Sequence, residues 1–89
     1  MDKFNTTRFV PVNPENEISA KKVLKLVYEA MREKGYDPVS QIVGYIMSGD
    51  PTYITSYNGA RSLIIKVERD ELVEELLKEY VYNRSWEEN

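Results

Sequence analysis

The side chains of this chain that could do chemistry are carboxylates, guanidiniums, phenols and hydroxyls. Its 89 residues include no histidine and no cysteine. The usual general base, metal ligand and pH sensor are therefore missing together. So are a disulfide framework and a thiolate zinc site. Six carboxylates, Glu68, Asp70, Glu71, Glu74, Glu75 and Glu79, crowd into one stretch. A metal site or an acid–base pair would need several of them to converge in a sheltered pocket. At helical spacing most fall opposite Leu72, Leu76 and Tyr80, which reads as a solvated helix face. Ser48–Thr52 (SGDPT) superficially suggests a phosphate loop, but it lacks the glycine spacing and the lysine that cradle phosphates. Asp50 would also repel an anion from a helix start there. The chain is read as no enzyme, with no metal and no cofactor.

What remains points to contacts between proteins. Tyr36, Tyr45, Tyr53 and Tyr57 lie in or beside a stretch in which Asp50 is the only charged residue between Asp37 and Arg61. Tyrosine suits an interface because it buries a ring and keeps a polar tip. Ile42, Tyr45, Ile46 and Tyr53 are accordingly expected at a homodimer interface, an assembly that would also support a small core. Arg61, Lys66 and Arg69 are the only bases between this stretch and the last helix. Thr6 and Thr7 offer two hydroxyls in the N-terminal segment, where a kinase could take them in extended form.

These groups are positioned by a chain that reads as all-α. Residues 1–16 hold Pro11 and Pro14 and no sustained period, so they are read as a flexible N-terminal arm, with Phe9 and Val10 at its anchored base. A first helix is expected over Glu17 to Lys34, with Val23, Leu24, Val27, Ala30 and Met31 on one stripe. Gly35 should close it as a left-handed cap, with Tyr36 folding back. Asp37-Pro38 starts a second helix, which Gly49 ends. Asp50-Pro51 starts one or two further turns, and Asn58-Gly59 breaks the chain. From Ala60 to Tyr82 the apolar phase shifts: Leu63, Ile64 and Val67 mark one face, and Leu72, Val73, Leu76, Leu77, Tyr80 and Val81 another. This predicts a break near Glu68–Asp70 with Asp70 as the new cap. The whole is expected to be one small domain of four to five short helices over 17–84, forming a homodimer, with a polar tail at 85–89.

Length, charge and hydropathy narrow the class further. A chain of 89 residues makes one domain and buries only ~60–65% of its unfolded surface. No apolar run approaches the ~18–20 residues that span a bilayer, and the N-terminus has no signal-peptide core, so a cytoplasmic location is expected. The net charge is -3, which argues against a nucleic-acid partner. By region it is zero over 1–16, +2 over 17–34, -2 over 35–59 and -3 over 60–89. The alternative reading is a small helix-turn-helix DNA-binding regulator using helices Pro38–Ser48 and Ala60–Val67. Its weakness is the lack of a cluster of Arg, Lys, Asn or Gln to read bases and phosphates.

The string QIVGYIMSGDP (Gln41–Pro51), with EKGYDP (Glu33–Pro38) before it and ERDELVEELL (Glu68–Leu77) after it, closely resembles the IreB family of small bacterial regulatory phosphoproteins. The resemblance covers about two thirds of the chain. It implies a non-enzymatic substrate of a membrane Ser/Thr kinase with PASTA repeats, one that controls peptidoglycan precursor synthesis through protein–protein contacts. Those contacts would govern the proteolytic turnover of an early enzyme of that pathway. Aligning on Arg8-Phe9 places Thr6 at the family's phosphoacceptor position. A second acceptor of some members falls on Lys3 and does not carry over, leaving Thr7 as its substitute. Arg61 and Arg69 match positions that are basic in the family and are expected to bind the partner. The chain departs from many relatives at Thr55-Ser56-Tyr57, where they have Pro-Arg-His, and at Ile65, where they have another base, so its basic patch is thinner.

Overall fold

Each helix of this chain starts or stops where the sequence supplies a side chain or a glycine to finish the backbone hydrogen bonding. The computed structural model describes residues 18–85. Four α-helices follow one another: α1 (Ala20–Glu33), α2 (Pro38–Ser48), α3 (Ala60–Ile64) and α4 (Arg69–Asn83). Single 3-10 turns at Pro51–Tyr53 and Tyr57–Gly59 lie between α2 and α3. Among the described residues there is no strand, so the all-helical expectation holds. The arm at 1–16, with Phe9 and Val10, lies outside the described residues.

Helix α1 begins three residues later than its apolar stripe suggests, because Ser19 is extended (ψ 155°) and its hydroxyl accepts the Lys22 N–H at 3.2 Å. It ends as the glycine predicts. The Gly35 N–H donates to the Arg32 carbonyl at 3.0 Å and the Tyr36 N–H to Met31 at 2.9 Å. This crossed pair of bonds requires a left-handed residue, and Gly35 supplies it at φ +84°. Helix α2 opens on the Asp37 carboxylate, which accepts the Val39 N–H at 3.2 Å, with Pro38 in the first turn. Gly49 closes it at φ +76°.

The predicted break in the last third is present: α3 stops at Ile64 and α4 starts at Arg69. The cap, however, is Glu68 and not Asp70. Glu71 reaches back to accept the Glu68 N–H at 3.2 Å, an arrangement that a Glu at the cap and another three residues on can close. Asp70 and Glu71 then fall in the first turn, where carboxylates oppose the helix dipole.

The core is a single layer built round α1. Val23, Val27, Ala30 and Met31 meet Tyr45 of α2, Ile54, Ala60 and Ile64 of α3, Val67, and Leu72 of α4. Burial of each larger apolar side chain contributes about 1.5–3 kcal/mol. Helix α4 gives the core only Leu72. Val73, Leu76 and Leu77, which the sequence pattern assigns to a second apolar face, are exposed on the protomer.

Candidate functional site

The uncharged stretch folds into two things: a turn braced by polar groups, its own and those of two arginines beyond it, and one wall of an open apolar groove. In the turn, the Tyr53 ring lies against Gly44, where an added methyl would overlap it. The Gln41 amide holds the same residue by donating to the Tyr53 carbonyl at 2.9 Å. The Ser48 hydroxyl donates to the Gly44 carbonyl at 2.7 Å and accepts the Asp50 N–H at 3.0 Å. The Asp50 carboxylate accepts the Thr52 N–H at 3.0 Å and the Thr52 hydroxyl at 2.7 Å. These two bonds, the backbone one foremost, hold the Asp50 carboxyl below its ordinary pKa, and the nearby positive charge of Arg61 adds to them.

Arg61 and Arg69 are brought to this same turn from two different helices. The Arg61 Nε donates to the Ile54 carbonyl at 2.8 Å, and an Arg69 guanidinium nitrogen donates to the Ile46 carbonyl at 2.8 Å. The Arg69 guanidinium also covers Gly49, where a side chain would meet its carbon at 2.9 Å. Both arginines therefore have a structural task, satisfying carbonyls at the end of α2 and in the loop after it. Tyr57 has a different neighbourhood. Its hydroxyl is hydrogen-bonded to Glu33, which with the Glu33 charge raises its pKa, and Lys34 lies 5.2 Å from its ring centre.

The groove opens on the other side of α2. Leu24 and Tyr28 of α1, Pro38, Val39, Ile42, Val43 and Ile46 of α2, and Leu76 of α4 enclose about 250 Å³. Its lip is unusually bare: Val39 is 68% exposed, Val43 51% and, one turn further, Met47 77%. Of the residues expected at a dimer interface, Ile42 and Ile46 line this groove. Tyr45 is instead 5% exposed, inside the protomer's own core, and has almost no surface left to offer. Tyr53 lays part of its ring against Gly44 and keeps the rest exposed. Val39, Val43 and Met47 are not among the residues expected at an interface. Their signal was present: apolar residues at 39, 42, 43, 46 and 47 make a stripe too wide for one small core.

The acidic run of α4 is largely exposed to solvent. Among the described residues no three acids come together to hold a metal ion. Glu79 pairs with Lys21 at 3.4 Å and Glu74 with Lys78 at 3.5 Å, all on the solvent side. No helix of the described residues is long and apolar enough to cross a membrane. The helix-turn-helix reading loses its second helix, since α3 has five residues and α2 carries no charged side chain. Thr6 and Thr7 lie outside the described residues.

Comparison with known proteins adds what geometry alone does not. A family model described as IreB regulatory phosphoprotein matches residues 5–82. A UPF0297 protein of Lachnoclostridium phytofermentans is 58% identical over 83 residues, covering 93% of this chain and 94% of its own. A UPF0297 protein of Ruminiclostridium cellulolyticum is 53% identical over 81 residues, covering 91% and 92% respectively.

Proposed function

Because this chain belongs to the IreB regulatory phosphoprotein family, we propose that it is a cytoplasmic, non-enzymatic switch. A membrane PASTA-type Ser/Thr kinase phosphorylates it on Thr6, with Thr7 as second acceptor, and it controls peptidoglycan precursor supply through protein–protein contacts. The family match carries this reading, because it begins at residue 5 and so takes in Asn5-Thr6-Thr7-Arg8-Phe9.

A phosphate there adds about -1.5 to -2 charges beside Arg8, in a segment whose unmodified net charge is zero over 1–16. The obvious internal receptors are Arg61 and Arg69, but both already serve the Ile54 and Ile46 carbonyls. Docking the arm on them would also order roughly ten residues at about 1 kcal/mol or more each. One or two exposed ion pairs cannot offset that. The phosphate is therefore read, or rejected, by a partner protein, with Arg61 and Arg69 marking the turn that the partner contacts.

Labelling by the kinase domain tests this on the full chain. Thr6→Ala should remove most incorporation and the double Thr6→Ala/Thr7→Ala change all of it. Incorporation that survives the double change overturns the site assignment. Ordering of the arm by NMR relaxation on phosphorylation, without any partner, overturns the mechanism.

A further inference from the structure

Asn58 and Gly59, just ahead of α3, are consecutive left-handed residues at φ +55° and +73°. That conformation crowds an L side chain, and only glycine, asparagine and aspartate visit it routinely. A Cβ added at Gly59 would meet nothing within 4 Å, so glycine stands there for its backbone and not for want of space. The turn thus needs two residues that tolerate positive φ, and the sequence supplies Asn-Gly. We propose that this need builds a self-modification site into the protein. Asn58 cyclises onto Gly59 and is converted to aspartate and isoaspartate, which ages the turn that positions Arg61.

The chemistry needs only water. The Gly59 backbone nitrogen gives up its proton to solvent base and bonds to the Asn58 side-chain Cγ. The carboxamide nitrogen leaves as ammonia, taking up a proton in its turn, and a five-membered succinimide remains. Water then opens the ring at either carbonyl. One opening gives aspartate; the other routes the backbone through the side chain as isoaspartate. Nothing is oxidised or reduced. The attack requires an unhindered nitrogen, and Asn58 is the one asparagine of this chain that precedes a glycine. Both residues are exposed, so base and water reach them. The fold sets the pace, because the Gly59 N–H donates to the Ser56 carbonyl at 3.1 Å and must first be released. That opening is local, since none of Tyr57, Asn58 and Gly59 is buried.

The surroundings turn this chemistry into a change of surface. Asn58 shares a pocket of about 130 Å³ with Glu29, Glu33 and Leu63. A carboxylate at 58 meets like charges there, where the neutral amide met none. Isoaspartate also lengthens the backbone by one carbon, two residues ahead of Ala60, which is 1% exposed in the core. Moving the start of α3 withdraws the Arg61 Nε from the Ile54 carbonyl, 2.8 Å away in the unmodified chain. Only the relevance to a partner rests on the proposed role of Arg61; the modification and the lost bond do not.

The full unphosphorylated chain, held warm in mildly alkaline buffer and sampled over days, tests this. Peptide mapping with electron-transfer fragmentation, which tells isoaspartate from aspartate, should find Asn58 converted first and both products present. Asn83, which precedes Arg84, should be unchanged over the same period. Unfolding the chain in urea should speed the conversion of Asn58, because the bond to Ser56 is then lost. The isoaspartate form, separated by its added charge, should show the Arg61 Nε–H exchanging freely with water by NMR. The Tyr36 N–H, bonded to the Met31 carbonyl, should keep its protection in the same sample. Conversion of another asparagine ahead of Asn58 overturns the site. Aspartate without isoaspartate overturns the succinimide route, and a rate that urea leaves unchanged overturns the control by the fold. An Arg61 Nε–H still protected in the isoaspartate form overturns the effect on the turn.

Discussion

Replacing Gly44 by alanine should destabilise this protein, although helix propensity alone says the opposite. Gly44 lies in the interior of α2, where glycine costs about 1 kcal/mol relative to alanine. The methyl group, however, would overlap the Tyr53 ring. Tyr53 is 40% exposed, so its contact hides on the order of 120 Å² of side chain, worth up to about 3 kcal/mol at ~25 cal/mol per Å². Lifting the ring would also strain the Gln41 bond to the Tyr53 carbonyl, which contributes about 1 kcal/mol. The ring can move part of the way into solvent, so half of that total is a fair loss. Set against the propensity gain, Gly44→Ala should cost about 1 kcal/mol net. In a Tyr53→Ala background nothing opposes the methyl, and the same change should stabilise by about 0.5–1 kcal/mol. The two residues are then coupled by about 2 kcal/mol. Urea unfolding followed by far-UV circular dichroism, at one fixed protein concentration, reads all four corners of this cycle. If Gly44→Ala has the same sign in both backgrounds, the ring is not what keeps residue 44 a glycine.

Two other perturbations test the braced turn. Arg69→Met keeps the stem but loses the bond to the Ile46 carbonyl, and should cost about 1–2 kcal/mol in the same assay; an unchanged midpoint would mean the carbonyl is satisfied by water instead. The pH dependence follows from Asp50, whose carboxyl is held below its ordinary pKa in the folded chain, chiefly by the Thr52 backbone N–H. A depressed pKa gives stability that is fully present above the unfolded value and lost as the pH falls through the folded one. Asp50→Asn should therefore melt below the wild type at neutral pH, with the gap closing in strong acid; a gap that does not change with pH refutes it.

Much of this fold was legible because its punctuation is local. Gly35, Gly49 and the Asn58-Gly59 pair announce left-handed backbone, and each has it. Asp37 and Asp50 announce caps, and each accepts the expected N–H. The choice of Glu68 over Asp70 was not legible, since both are carboxylates ahead of an apolar run and only the register of the preceding turn selects between them. The site was harder to read for a related reason. An apolar residue in a short helix looks the same whether it faces its own core, as Tyr45 does, or solvent, as Val43 does. Which face turns inward depends on where α1 and α4 pack, and periodicity within α2 carries no record of that. The two arginines show the converse. Their bonds to carbonyls 7 and 23 residues away are invisible to any local pattern.

Those same bonds have a kinetic consequence. The polar braces of the turn join residues 7, 12 and 23 positions apart, and α1 is separated from α2 by only Lys34–Asp37. Closing such short loops costs little, since each doubling of loop length adds only about 0.6 kcal/mol. Helical chains dominated by near neighbours in sequence cross their folding barrier in microseconds to milliseconds. Synthesis itself adds only ~5–20 residues per second. The protomer should thus be complete almost as soon as its last helix leaves the ribosome, so the supply of the competent regulator follows its rate of translation, with no lag from folding.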